Sequence, residues 1–115
     1  MHSNSIVHRD IKPENILLEK VETLEIKLTD FGFATYFNEK EKLDEILGSP
    51  FYMAPEILKQ EIYDQKVDIW SVGVVIYTLI CGKQPFLGSS KEKIYEAIKC
   101  QEPDMDCPEW QHVSL

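Results

Sequence analysis

The residues whose types and spacing best suit chemistry lie at positions 8–15, His-Arg-Asp-Ile-Lys-Pro-Glu-Asn. Asp10 offers a carboxylate that can hold a hydroxyl proton. Lys12 offers an ammonium point charge suited to a phosphoryl group. Asn15 offers a neutral oxygen of the kind a hard cation such as magnesium accepts. Further on, Asp30-Phe31-Gly32 adds a charged oxygen ligand. None of these residues says much alone, because an Asp before a turn is ordinarily just a turn residue. Together they need a scaffold that holds two loops against each other.

The flanking sequence supplies the elements. Ile6-Val7 is a short apolar step into the first loop. Ile16-Leu17-Leu18 and Glu25–Thr29 have strand character, the second with Ile26 and Leu28 inward and Lys27 outward, and the polar Glu19–Leu24 joins them as a hairpin. Phe33–Leu47 is charged and lacks a period, which predicts a long exposed loop. Pro55 suits the first turn of a short helix over Ala54–Lys59. Asp68–Gly82 is the hydrophobic centre. Its apolar residues run all round the helix, which predicts packing on every side, and Gly82 is a natural stop. Ser89-Ser90-Lys91-Glu92 predicts a capping box for a helix through about Cys100, with Ile94, Tyr95 and Ile98 on one face. The Pro-punctuated tail Glu102–Leu115 has Trp110 as its expected anchor.

Composition narrows the classes. A chain of 115 residues makes one domain and not two. A net charge of −8 argues against a nucleic-acid or anionic-membrane surface and suits basic peptide partners. The longest apolar run, Ile69–Cys81, is broken by Ser71, Gly73 and Thr78 and is shorter than the ~20 residues a membrane helix needs. The N-terminus has no signal-peptide pattern, so a cytoplasmic location is expected. Three cysteines, Cys81, Cys100 and Cys107, form no C-x-x-C pair and fit a reducing compartment. Cys100, Cys107 and His112 match no zinc spacing.

Three signals then occur in order: His8-Arg9-Asp10 with Lys12 and Asn15, Asp30-Phe31-Gly32, and Ala54-Pro55-Glu56. This set resembles the protein kinase signature. The resemblance covers essentially the whole chain and implies an α+β, protein-kinase-like fold that is partial: a mostly helical C-lobe with a small β-hairpin and no N-lobe. Residues 1–115 would be a partial kinase domain, from the catalytic loop through the helix after Ser90. The resemblance further implies ATP and Mg²⁺ as cofactors and protein substrates. Asp10 would accept or orient the proton of the incoming hydroxyl, and Lys12 would sit by the transferred phosphoryl group. Asn15 and Asp30 would be the magnesium ligands, and Leu17 would lie beneath the adenine ring. His8 and Phe31 resemble members of a hydrophobic column joining the two loops. Asp68 resembles the buried carboxylate that ties down the catalytic-loop backbone. Glu56 would pair with a distant arginine that this chain does not contain.

Lys12-Pro13-Glu14-Asn15 and Gly48-Ser49-Pro50-Phe51-Tyr52 are similar to serine/threonine kinases. That likeness implies a hydrogen bond from Ser49 to Asp10 and Lys12, and implies that Glu14 reads an arginine upstream of the target hydroxyl. Asp68–Val74, Leu79–Gly82, Pro85-Phe86 and the tail Cys107–Trp110 with Val113-Ser114 are closest to the calcium/calmodulin-dependent and calcium-dependent group. The likeness suggests calcium- or calmodulin-type control of a longer parent. Many kinases carry an activating phosphate three residues before Gly48, and here that position is Glu45. Glu45 is therefore expected to stand in for the phosphate and pair with Arg9, the bland alternative being a solvated charge beside Asp44. A whole kinase domain needs roughly 250 residues, so Met1 is expected to be an internal methionine of a longer protein. The 115 residues alone would then expose part of the central helix, fold poorly and lack kinase activity. The alternative from another class is a truncated, non-catalytic kinase-like binding protein.

Overall fold

The computed structural model describes residues 1–38, 40 and 42–113. In chain order it contains β1 (Ile6–Val7), β2 (Ile16–Lys20), β3 (Glu25–Leu28), β4 (Thr35–Tyr36), α1 (Pro55–Leu58), α2 (Lys66–Cys81) and α3 (Lys91–Cys100). Single 3₁₀ turns lie at His2–Asn4, Pro13–Asn15, Pro50–Tyr52 and Pro108–His112. Three of these turns begin on proline, whose fixed φ and missing N–H suit a helical first position.

Two small antiparallel sheets frame the first loop. β2 pairs with β3 as the expected hairpin, Ile16 opposite Leu28 and Leu18 opposite Ile26. The apolar step Ile6-Val7 pairs with Thr35-Tyr36, Ile6 opposite Tyr36 and Val7 opposite Thr35. The stretch Phe33–Leu47 is thus not loop throughout. Its first part is a two-residue strand, too short to show a period, and Leu43 makes an isolated bridge to Tyr63. The alternation in β3 does not produce a buried face either. Ile26 is exposed and Leu28 is only half-buried, because among the described residues nothing packs over that side of the hairpin.

The core is three adjoining clusters that share Trp70. Val7, Met53, Ala54, Ile57, Tyr63 and Val67 form the first, Phe86, Ile94, Ala97 and Ile98 the second, and Tyr52, Val74 and Val75 the third. Trp70 stacks on Phe86 with ring centroids 5.7 Å apart. α2 runs through all of this and ends at Gly82, whose φ of 67° is the left-handed C-terminal conformation glycine adopts freely. The helix is apolar all round, yet it is covered on one side only. Val67, Ser71, Val74, Val75 and Tyr77 are buried, while Ile69 and Leu79 are 61 % and 75 % exposed. No helix among the described residues is long and apolar enough to cross a membrane.

α3 has the expected apolar face, with Ile94, Ala97 and Ile98 buried. Its cap is one residue later than the capping box predicts. Ser90 is the N-cap and accepts from Lys93 N, so the third helical residue is Lys93, and Glu92 meets the cap from the second position through a hydrogen bond with the Ser90 side chain. Just before the cap the chain passes close over the first turn: a Cβ at Gly88 would lie 2.7 Å from Ile94 N, so only glycine fits there. Trp110 packs on Tyr77 at 5.7 Å and anchors the tail, while Ser114 of the tail motif lies outside the described residues.

Candidate active site

Asp68, 1 % exposed near the start of α2, organises the loop after β1. Its Oδ2 accepts from His8 N at 2.8 Å, and its Oδ1 accepts from Arg9 N at 2.8 Å. The Nε2 of His2 reaches Oδ2 at 2.7 Å. Arg9 sits at φ 69°, the left-handed region that non-glycine residues occupy at a cost. The carboxylate offsets that cost by satisfying two successive buried amides at once.

The twisted backbone presents Asp10, which is 7 % exposed. Its Oδ1 accepts from Ser49 Oγ at 2.8 Å, and its Oδ2 lies 3.3 Å from both Lys12 Nζ and Asn15 Nδ2. Lys12 Nζ also donates to Ser49 Oγ at 2.8 Å. The Ser49 hydroxyl therefore donates a hydrogen bond to Asp10 and accepts one from Lys12. Gly48 permits this approach. It stands at φ 124°, and a Cβ there would lie 2.9 Å from the carbonyl oxygen of Arg9. The segment before α1 can therefore press on the loop only through a glycine.

Asn15 is buried in the turn Pro13–Asn15 and donates Nδ2 to the Asp10 carbonyl at 2.9 Å. That fixes the amide's orientation and leaves its oxygen as the atom available to a ligand. The Asn15 carbonyl accepts from Thr29 N at 2.9 Å, tying the first loop to the residue before Asp30. His8 closes the same link. Asp10 N donates to His8 Nδ1 at 3.2 Å, so His8 Nε2–H donates to Thr29 O at 2.9 Å, and the ring meets Phe31 edge-on at 4.8 Å. Asp30 has φ 55° and an exposed carboxylate whose Oδ1 accepts from Gly32 N at 3.2 Å. One neutral and one anionic oxygen, on loops joined through His8 and Thr29, are a donor set that fits a hard divalent cation.

Arg9 extends away from Asp10. Its Nε donates to Phe33 O at 2.6 Å, and its Nη1 donates to Glu45 Oε2 at 2.7 Å and to Tyr63 Oη at 3.3 Å. Burial alone would lower the guanidinium pKa, but the bonds to Glu45 and Tyr63 outweigh it and hold the pKa above its ordinary value. Tyr63 Oη in turn donates to the Glu45 carbonyl at 2.8 Å.

Sequence-predicted residues thus fall into two groups. Asp10, Lys12, Asn15 and Ser49 are in direct contact, and His8 with Phe31, Arg9 with Glu45, and Asp68 with the loop backbone are paired. Glu14 and Leu17 are exposed on the turn and hairpin, and Glu56 lies on α1 beside an open surface cavity shared with Tyr63 and Lys66. Among the described residues no hydrogen bond joins those three to the Asp10 set. Sequence reasoning missed His2 and Tyr63. Neither belongs to a periodic stretch, and each earns its contact only through tertiary pairing, Tyr63 through its bridge to Leu43.

Comparison with known proteins adds a second line. The family model described as protein kinase domain matches residues 1–115. The chain is 45 % identical over 99 % of its length to a probable myosin light chain kinase of Dictyostelium discoideum, of which it covers 33 %. It is 44 % identical over 98 % of its length to the calcium/calmodulin-dependent protein kinase type II of Caenorhabditis elegans, covering 16 % of that protein. It is 42 % identical over 98 % of its length to CDPK-related kinase 5 of Arabidopsis thaliana, covering 19 %. The chain therefore spans a third or less of the length of these relatives.

Proposed function

The chain belongs to the protein kinase family, and we propose that it is the catalytic-loop half of a serine/threonine kinase of the calcium- and calmodulin-dependent group. The intact protein transfers the γ-phosphoryl of ATP to Ser or Thr hydroxyls of proteins, in a basic sequence context. The observation that carries the reading is the hydroxyl of Ser49 held between Asp10 and Lys12 at 2.8 Å each. A serine in that position marks where an acceptor hydroxyl can be met by a base and a cation together.

In the reaction, Asp10 takes the proton of the substrate hydroxyl as its oxygen bonds to the γ-phosphorus and the bond to the β-phosphate oxygen breaks. Lys12 stays beside the transferring group as a fixed positive charge. Asn15 and Asp30 would hold magnesium, which neutralises phosphate charge when bound. His8 and Asp68 do no chemistry; they hold the Asp10 backbone. Leu17 would contact the adenine, Glu14 would attract an arginine of the substrate, and Glu56 has a structural role. Calcium- or calmodulin-type control of the intact protein rests on likeness to relatives that carry those names.

The test is an assay of the intact protein with magnesium and γ-labelled ATP on peptides that differ only in the acceptor residue. Label is expected on Ser and Thr peptides with upstream arginines and not on the Tyr peptide. Tyr labelling would overturn the serine/threonine assignment, and no labelling of any peptide would favour a non-catalytic binding protein.

Glu45 gives the reading a regulatory part. Its bond to Arg9 joins the segment before Ser49 to the catalytic loop without a phosphate. Glu45 is 62 % exposed, so the pair contributes about 1 kcal/mol after solvent screening, a factor of roughly 5 in loop populations. In the intact, loop-unphosphorylated kinase, Glu45→Gln is expected to lower activity about 5-fold, and molar salt should mimic it. Undiminished activity in the variant would show Glu45 to be a solvated charge.

A further inference from the structure

Away from Asp10, α2 ends on a second group of reactive side chains. Cys81 is the last residue of α2 and Cys107 precedes the turn Pro108–His112. They are 26 positions apart in sequence, yet their sulfurs lie 3.0 Å apart, both as free thiols. A carboxylate oxygen of Glu109 and the two sulfurs lie within 4.8 Å of one another. Tyr77, whose Oη donates to Asp104 O at 2.9 Å, and Trp110, packed on the Tyr77 ring, hold the tail against α2. Cys81 is half-buried and Cys107 is 6 % exposed.

We propose that Cys81 and Cys107 form a redox-active dithiol site, oxidised by hydroperoxides to a disulfide that staples the tail to the C-terminal end of α2. The two sulfurs already lie at contact distance, so the fold brings the thiols together before any oxidation. A tetrahedral zinc site would hold thiolates about 3.8 Å apart and need a fourth donor. The shorter separation and the three available donors favour a dithiol over a metal centre.

The chemistry divides between the two thiols. Cys81, the more accessible, attacks the peroxide as thiolate. One S–O bond forms, the O–O bond breaks, and alcohol or water leaves. Cys107 then attacks the sulfenic sulfur. The S–S bond forms, the S–O bond breaks, and water departs with the Cys107 proton. Two thiols are thereby oxidised by two electrons and one peroxide is reduced. Burial and the contacts with Cys81 and Glu109 push the Cys107 thiol up to about 11, so it rests protonated and serves as the resolving partner. A backbone hydrogen bond and the hydrogen bond from Cys107 hold the Glu109 carboxyl below its usual range, so it stays ionised beside the dithiol and takes up no proton in the step. In a reducing compartment the pair rests as dithiol and closes only under oxidant. Cys100 is exposed on α3 and takes no part.

The test oxidises the intact native protein with a slight excess of hydrogen peroxide, alkylates it, and maps its peptides without reductant. A cross-linked Cys81–Cys107 pair about 2 Da lighter than the two thiol peptides is expected, reversed by dithiothreitol. Unfolding in urea before oxidation should lower its yield about tenfold, because the effective concentration is lost. Cys100→Ser should leave the cross-link intact. In unmodified protein, phenylarsine oxide should protect Cys81 and Cys107 together from alkylation. Recovery of both as separate alkylated peptides after peroxide would overturn the proposal. So would pairing of either with Cys100, or conversion of Cys81 to sulfinic acid with Cys107 free.

Discussion

Asp10→Asn in the intact protein is expected to lower kcat by about 10²–10⁴-fold while moving KM for ATP little. The variant keeps size and one accepting oxygen, so Ser49 can still donate to the side chain. What it loses is the ability to hold a proton and the charge that Lys12 faces at 3.3 Å. Those losses fall on the step in which the hydroxyl loses its proton, and not on nucleotide binding. A urea unfolding midpoint close to the parent's would separate chemistry from folding, since the backbone bonds around Asp10 come from His8, Asn15 and Asp68. If kcat stayed within threefold of the parent, Asp10 would be an anchor for Ser49 and Lys12 and the base would have to be sought elsewhere.

That prediction uses a part of the molecule that was legible before any coordinates. The order of His8-Arg9-Asp10 with Lys12 and Asn15, Asp30-Phe31-Gly32 and Ala54-Pro55-Glu56 pointed to the protein kinase family, to which the chain belongs. Elements of strong local character were legible too. α2 stops at Gly82, α3 buries Ile94 and Ile98, and the hairpin pairs Ile16 with Leu28. What escaped has a common cause. The pairing of Ile6-Val7 with Thr35-Tyr36 joins two-residue strands, and two residues carry no period. The contacts of His2 with Asp68 and of Cys81 with Cys107 span 66 and 26 positions, and no local pattern encodes them. Burial is overread in β3, where the alternation of Ile26 and Leu28 suggests a packed face, whereas the exposed side of α2 is what these 115 residues alone lead one to expect. Within this chain Ile69, Leu79 and Ile26 face outward.

Asp68→Ala is expected to be the most destabilising single change, by about 3–5 kcal/mol. The native carboxylate accepts from His8 N and Arg9 N, and His8 and Arg9 are 0 % and 8 % exposed. Removing it leaves two buried amides without acceptors, each costing about 1–3 kcal/mol. It also removes what offsets the left-handed backbone at Arg9. Asp68→Asn should fall between alanine and the parent, because one amide oxygen cannot serve both amides and the introduced NH₂ opposes a donor. Against a typical stability of 5–15 kcal/mol, the alanine variant would stand near the limit of folding. Urea unfolding gives the magnitude, and amide exchange gives the cause: His8 and Arg9 should lose protection before the amides inside α2 do. Activity should fall with folding and be regained in part by stabilising conditions, unlike the Asp10 variant, whose defect no stabiliser repairs. An alanine variant within about 0.5 kcal/mol of the parent would mean that other groups or water satisfy those amides, and that α2 does not hold the catalytic loop through this carboxylate.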